Sequence, residues 1–295
     1  MHVEPGTHHR IALVGATGRI GRAVARVLSS AGADYRALSR DGNRARRTLG
    51  SHAHVVEGDL RSPAAIEAIV RGADRLLLAC ADPSLERAAI EAASAAGVTR
   101  IVKISAAAGQ DACTPAHQDA EDALRGSRAE WTLVRPTALM QTLADAIALV
   151  ARDGVVRLPA GDAPVAWVDA RDVAAVVLHA LVEDGHAGAT WTVTGPEAVP
   201  LADAVRAVAR ATGRPLRYVA SEPTSAEPQL RALGLDEVRA ATLLQRCEVW
   251  RSGALATTTD VVRRIARMDP RSFARFAATH DFGLDVELAP SAAAR

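Results

Sequence analysis

The sequence predicts an α/β chain: a doubly wound parallel sheet followed by a smaller, mixed α/β lobe. Three observations predict it. Short runs such as Ile11-Ala-Leu-Val14 do not alternate polar with apolar residues, so they read as strands buried on both faces. They alternate with segments of helical spacing, the rhythm of a parallel sheet covered by helices on both sides. The first run turns at once into Gly15-x-x-Gly18-x-x-Gly21 and opens a helix, which aims backbone N–H groups and a helix N-terminus at an anion. Gly15 permits the sharp turn, Gly18 lets a pyrophosphate approach the backbone, and Gly21 lets the helix lie close on the sheet. With right-handed crossovers the result is a Rossmann-type, dinucleotide-binding sheet.

The elements follow in order. After the first helix, Ala33 to Ser39 reads as the second strand, Asn43 to Leu49 as a short helix, and His54 to Glu57 as the third strand, closing at Gly58-Asp59-Leu60. Ser62 and Pro63 are an N-cap and a first-position proline for a helix to Val70. Asp74 to Cys80 is the fourth strand, Ser84 to Ala96 a helix stopped by Gly97, and Arg100 to Ser105 the fifth strand. A loop of small residues, Ala106 to Pro115, precedes a helix from Ala116 to Arg125, and Trp131 to Arg135 is the sixth strand, ended by Pro136. Past Val150 the rhythm changes. Short strands are expected at 154–159, 163–168, 190–193 and 216–219, helices at 169–182 and 201–211, and only helical patterns from Thr224 onward. The expected division is a tail at 1–9, a nucleotide-binding domain at 10–153, a substrate lobe at 154–288 with 166–194 returning to the first domain, and a tail at 289–295.

The 295 residues, 49% of them hydrophobic, supply ample core, and a net charge of +1 with both signs scattered gives no nucleic-acid or membrane patch. No apolar stretch approaches a membrane span, and the N-terminus lacks the apolar core of a signal peptide. The three cysteines lie far apart, without pairing or metal spacing. A cytoplasmic protein that acts on a small molecule, as a monomer or homodimer and without a metal, is the expectation.

The second strand ends Ser39-Arg40-Asp41. An acidic residue there accepts hydrogen bonds from the ribose 2′-OH of NAD, whereas an arginine suits the 2′-phosphate of NADP. Arg40 favours NADP(H), with Arg19 and Arg44 as further positive charge; Asp41 keeps NAD(H) as the lesser alternative. Asp59 sits where a carboxylate meets the adenine amino group, or serves only as a turn residue.

Several motifs together resemble the NmrA-like atypical short-chain dehydrogenase/reductases. They are Gly15 to Gly21, Gly58-Asp59-Leu60, Val102-Lys103-Ile104-Ser105-Ala106, His117 followed by Glu121, Trp131 to Pro136 with Met140-Gln141, and Val168-Asp169-x-Arg171-Asp172-Val173. The likeness covers nearly the whole chain. It implies a Rossmann fold and NAD(P)H-dependent reduction of quinones, azo dyes or related acceptors. Other members bind dinucleotide without known turnover and act as redox-sensing regulators. The expected cofactor contacts are Gly15, Thr17, Gly18, Arg19, Ile20, Gly21, Arg40, Asp59, Leu60, Cys80, Ala81, Lys103, Ser105 and Pro136. Sheet topology and the family likeness place Ala106, Ala107, Cys113, Leu139, Met140 and Trp167 on the acceptor side.

A Tyr-x-x-x-Lys pair is excluded: Tyr35 is followed four residues on by Ser39, Tyr218 by Glu222, and the single lysine, Lys103, lies on the fifth strand. What stands at the expected place is Ser105 at the end of that strand, then His117 and Glu121 on one face of the next helix. His117 is the expected proton donor, with Glu121 orienting its ring and Ser105 bonding the same acceptor oxygen. Hydride transfer needs little beyond holding the nicotinamide against the acceptor, so an activated, quinone-like or carbonyl acceptor suits a site without a strong acid. The leading function is an NADP(H)-dependent oxidoreductase. The alternatives are an NADP(H)-sensing regulator without turnover, or a non-redox, isomerase- or cyclase-like enzyme on a reductase scaffold.

Overall fold

A computed structural model describes residues 9–50, 53–80, 82–106 and 115–284. In chain order the elements are β1 (Ile11–Val14), α1 (Arg19–Ser30), β2 (Tyr35–Ser39), α2 (Gly42–Leu49), β3 (His54–Glu57), α3 (Pro63–Val70) and β4 (Arg75–Leu78). Then come α4 (Glu86–Ala95), β5 (Arg100–Ile104), α5 (Pro115–Arg125), β6 (Glu130–Pro136), α6 (Met140–Val150), β7 (Val155–Leu158), β8 (Pro164–Val165) and α7 (Ala170–Val182). The chain continues with β9 (Ala189–Val193), β10 (Val199–Pro200), α8 (Leu201–Thr212), β11 (Arg217–Ala220), α9 (Pro223–Ala232), α10 (Glu237–Arg251), α11 (Val261–Ala266) and α12 (Phe273–Ala277).

Seven parallel strands form one sheet in the order β3-β2-β1-β4-β5-β6-β9. The reversal of strand order at β1 and β4 makes a crevice at their carboxyl ends, the usual ligand position of an open α/β sheet. Ala12, Val14, Leu76, Leu78, Ile101 and Leu133 point to one face and pack against Ile66, Ile69, Ile90, Ala93, Ala120 and Leu124 of α3, α4 and α5. Period-two alternation puts Lys103 and Ser105 on that same face, beyond Ile101 and toward the carboxyl end. Helices α1 and α7 pack together.

Two compact units divide the chain: Met1–Thr137, Ala170–Val193 and Asp260–Asp269 form the first, and Ala138–Asp169, Thr194–Thr259 and Pro270–Arg295 the second, counted over the described residues. The boundary thus falls at Thr137, where a break at 153 was expected. Helix α6 belongs to the second unit because its first N–H, on Met140, donates to Val168 O at 2.9 Å. Return of 170–193 follows from β9, which pairs in parallel with β6. The further return of 260–269 has a local cause. Arg267 makes two hydrogen bonds, at 2.8 and 2.9 Å, to the carboxylate of Glu183 just past α7. The second unit holds two two-stranded sheets, β10-β8 and β11-β7, with helices α8, α9, α10 and α12. Among the described residues no helix is long and apolar enough to cross a membrane.

Candidate active site

The glycine turn is shaped by contact as well as by torsion. Gly15 has φ +81°, and a Cβ there would lie 2.1 Å from Ala79 O. A Cβ on Gly21 would lie 2.2 Å from Gly15 O, so α1 can approach only as glycine. Gly18 differs: the one atom within 4 Å of its Cβ position is Gly15 O, at 3.2 Å. Gly18 is also the N-cap of α1, it brings no side-chain cap, and the first turn carries no acidic residue. Open space beside uncapped N–H groups at a positive dipole end fits a pyrophosphate. Ile20 is buried under this turn, while Thr17 and Arg19 are half-buried beside it.

At the end of β2, Arg40 is exposed, as are Arg44, Arg46 and Arg47 on α2. Asp41 is the N-cap of α2, and its Oδ1 accepts from Arg44 N–H at 2.8 Å. That capping bond takes one of the two carboxylate oxygens that could meet an NAD ribose. Asp59 is likewise engaged: Oδ1 accepts from Arg61 N–H at 2.9 Å and Oδ2 from the Arg61 guanidinium at 3.2 Å. Leu60 and Pro136 are buried and Cys80 half-buried.

The carboxyl ends of β5 and β6 carry a buried polar network. Ser105 Oγ donates to Glu121 Oε1 at 2.6 Å, while Arg125 and Arg135 each donate to Glu121 Oε2 at 2.7 Å. The Glu121 side chain is 3% exposed. Burial pushes its proton affinity up, but the hydrogen bonds from Ser105, Arg135 and Arg125 outweigh it and hold the carboxyl below its ordinary range. An ionised Glu121 is acceptor-only, so the Ser105 proton points at it and the Ser105 oxygen is left to accept. This revises the expected part of Ser105, which cannot donate to an acceptor oxygen while that bond stands. The carboxylate expected to orient the His117 ring anchors one serine and two arginines.

His117 lies in the first turn of α5, half-buried. Burial and then the charge of Lys103 lower its proton affinity, and Glu121 pulls it back up. Lys103 itself is enclosed, its side chain 0% exposed, and its Nζ is bonded to Glu86 Oε2 and, at 3.3 Å, to Ile104 O. Glu86, at the start of α4, is equally enclosed. Burial raises its proton affinity against the opposing charge of Lys103. Glu86 and Arg125 do not follow from the glycine and short-chain-dehydrogenase patterns; Arg135 stands in the Trp131 to Pro136 motif, but its bond to Glu121 is not written there. The signal for Glu86 is its place on the stripe of Ala89, Ile90 and Ala93, which α4 buries.

In the second unit, Leu139 is half-buried, but Met140 is 0% and Trp167 1% exposed. The Trp167 ring meets Trp250 edge-on at 5.1 Å and Phe273 at 6.4 Å, and its Nε1 donates to Val199 O at 2.9 Å. The indole, expected on the acceptor side, is thereby committed to that unit's core. Ala106, in the first unit, is buried. Ala81, Ala107 and Cys113 lie outside the described residues.

Comparison with known proteins identifies the family. Residues 15–184 match a family model described as NAD(P)H-binding. The chain is 37% identical over 278 residues, 92% of its length and 97% of the relative's, to the (4-alkanoyl-5-oxo-2,5-dihydrofuran-3-yl)methyl phosphate reductase of Streptomyces griseus. It is 32% identical, over 92% of its length and 97% of the relative's, to the NAD(P)H azoreductase of Xenophilus azovorans. The crystal structure of the NADPH-dependent quinone oxidoreductase QOR2 of Escherichia coli superposes with a TM-score of 0.79 at 25% identity, covering 91% of this chain and 98% of that one. The chain belongs to the NAD(P)H-binding family, among its NAD(P)H-dependent reductases.

Proposed function

We propose that this protein is an NADP(H)-dependent reductase that passes a hydride to a small, electron-poor acceptor of quinone or conjugated-carbonyl type, with His117 as the proton donor. The observation that carries the reading is the Ser105–Glu121–Arg135 network at the carboxyl ends of β5 and β6, with His117 one helical turn from Glu121. It lies in the same unit as the glycine turn.

Bound NADPH supplies the hydride, and the reduced product gains one further proton. Gly15 and Gly18 receive the pyrophosphate at the start of α1, and Arg40 receives the 2′-phosphate at the end of β2. Ser105, its proton engaged by Glu121, offers its oxygen to a ribose hydroxyl. His117 supplies the proton to the acceptor from its ring nitrogen and recovers it from water. The absence of a tyrosine–lysine pair fits acceptors whose conjugation already stabilises the developing anion. The dihydrofuranone, azo and quinone reductases named above all act on electron-poor π systems, which supports the same acceptor class.

Titration of the intrinsic tryptophan fluorescence with NADPH and NADH, followed by NADPH oxidation across quinones, azo dyes and conjugated lactones, tests the reading. The expected result is tighter NADPH binding and turnover on at least one class. Tight binding with no oxidation on any of them overturns the reductase and leaves a nucleotide-sensing protein.

A further inference from the structure

The second unit contains a cavity of about 360 Å³, near the lower end of the range for small-molecule sites. Strand β7 contributes Val155 and Arg157, and Pro159 follows on the same face; Val156 and Leu158, both 0% exposed, point the other way. Ala226, Gln229, Leu230 and Leu233 recur at the spacing of one helical face and bound the cavity from α9 and its C-cap. Arg152 and Asp153 border it ahead of β7. There Arg152 N–H donates to Val155 O at 3.0 Å, and Val155 N–H to Arg152 O at 2.8 Å. Between them Asp153 and Gly154 both take positive φ, +50° and +74°. This is the tight two-residue hairpin that an Asp-Gly step favours, so this side of the cavity is fixed before any ligand arrives.

The polar groups of the cavity are not used up by the fold. Ser221 Oγ is buried and has no hydrogen-bond partner among the described residues. A buried hydroxyl in that state calls for a water or a ligand group. Its position is set by the strands. Arg157 pairs with Val219 of β11, and Ser221, two residues on, donates its own N–H to Leu158 O at 3.1 Å. Ser221 therefore shares the face of Arg157, diagonally about 8 Å away and within reach of a long side chain. The Arg157 side chain is exposed and has no ion-pair partner among the described residues. Arg152 Nη1 donates to the carbonyls of Leu149 and Ala151, at 3.3 and 2.7 Å, which leaves its charge without a carboxylate partner among the described residues.

We propose that this cavity binds a small amphiphilic monocarboxylate, its carboxylate on Arg157 and Ser221 and its aliphatic body between β7 and α9. One carboxylate oxygen accepts from the Ser221 hydroxyl and the other from the guanidinium, which satisfies the orphan group and the unpaired charge together. Two arginines against Asp153 leave a single net positive charge, so one negative charge suits the site better than a phosphate dianion. The apolar lining of Val155, Pro159, Ala226, Leu230 and Leu233 gives nothing to a sugar or a free inorganic anion. An aliphatic chain, in contrast, gains by leaving water there.

The test is isothermal titration calorimetry of the full chain with octanoate, and with octanol and acetate as the two halves of that probe. Octanoate is expected to bind saturably at one site, and octanol and acetate each at least about tenfold more weakly. Arg157→Glu is expected to weaken octanoate by about tenfold or more, and added salt to weaken it in the unsubstituted protein. Arg157→Gln carries the same direction should the charge reversal not fold. Ser221→Ala should weaken octanoate several-fold with no fall in the ligand-free melting temperature, because the hydroxyl it removes has no protein partner. The proposal is overturned by octanoate that does not saturate, by octanol binding as tightly as octanoate, or by unchanged binding in the Arg157 variants. It is also overturned if ligand-free Ser221→Ala melts several degrees lower, which would mean that the hydroxyl is already bonded within the fold. The titration uses neither NADPH nor an acceptor, so it stands or falls apart from the reductase reading.

Discussion

The hydroxyl of Ser105 donates to the carboxylate of Glu121 across 2.6 Å, joining the end of β5 to α5 at a buried point. The same carboxylate receives Arg125 and Arg135, so one residue holds together a strand end, its own helix and the neighbouring strand. Ser105→Ala leaves Glu121 Oε1 without its donor while both arginines stay. Loss of one buried, charge-assisted hydrogen bond is expected to cost about 2 kcal/mol in urea unfolding. The urea slope should be unchanged, because the surface exposed on unfolding is the same.

Glu121 also makes stability depend on pH in a fixed direction. Its folded-state proton affinity lies below the ordinary value of 4.5. Its contribution is therefore complete above that value and is lost as pH falls through the lowered folded one. Glu86, raised above 4.5, has the opposite sign: its contribution is present below that value and lost as pH rises through the raised one. Melting temperatures of E121Q between neutral and acid pH should consequently fall less steeply than those of the unsubstituted protein. Parallel curves would show that Glu121 is not the group responsible.

His117→Ala is expected to lower kcat roughly a hundredfold, in line with the loss of a general acid, while leaving NADPH affinity within a few-fold. Stopped-flow NADPH oxidation and fluorescence titration separate the two. Equal kcat in H117A would remove the proton-donor role.

Much of this was legible in the sequence, for reasons that differ by residue. Strands buried on both faces write themselves as unbroken apolar runs, so β1 and the Leu76 to Leu78 stretch of β4 stand out without structure. Gly15 and Gly21 are legible because the backbone at both admits no Cβ. The domain boundary was less so. Where α6 ends up depends on a hydrogen bond from Met140 to Val168, a pairing across sequence that no periodicity encodes. Glu86 was hidden for another reason. An acidic residue in a first helical turn normally reads as a solvated partner of the helix dipole; its place on the Ala89, Ile90 and Ala93 stripe argues for burial, but its lysine partner lies on another element. Asp41 and Asp59 were ambiguous as short acidic residues near a nucleotide site; the structure shows the first capping α2 and the second turned onto Arg61.

Arg40 lies exposed at the end of β2, with the Asp41 carboxylate engaged by its own helix. Arg40→Ala should weaken NADPH by roughly tenfold, the worth of one charge-assisted contact discounted for exposure, and NADH hardly at all. The difference should shrink as salt rises. Equal losses for the two nucleotides would mean that the 2′-phosphate is read elsewhere.

Gly15 and Gly18 allow the fold of the turn to be separated from its binding. At Gly15 a side chain meets Ala79 O at 2.1 Å and a left-handed φ of +81°. Gly15→Ala is therefore expected to destabilise the protein by roughly 3 kcal/mol or more, whatever its effect on nucleotide. Gly18 has ordinary torsion angles, φ −74° and ψ 175°, and a Cβ there meets only Gly15 O, at 3.2 Å. Gly18→Ala should keep its melting temperature within a few degrees. Its methyl group would fill the space beside the N-terminus of α1, so NADPH and NADH should weaken together. A Gly18→Ala variant that binds both nucleotides normally would show that the pyrophosphate does not lie against this turn.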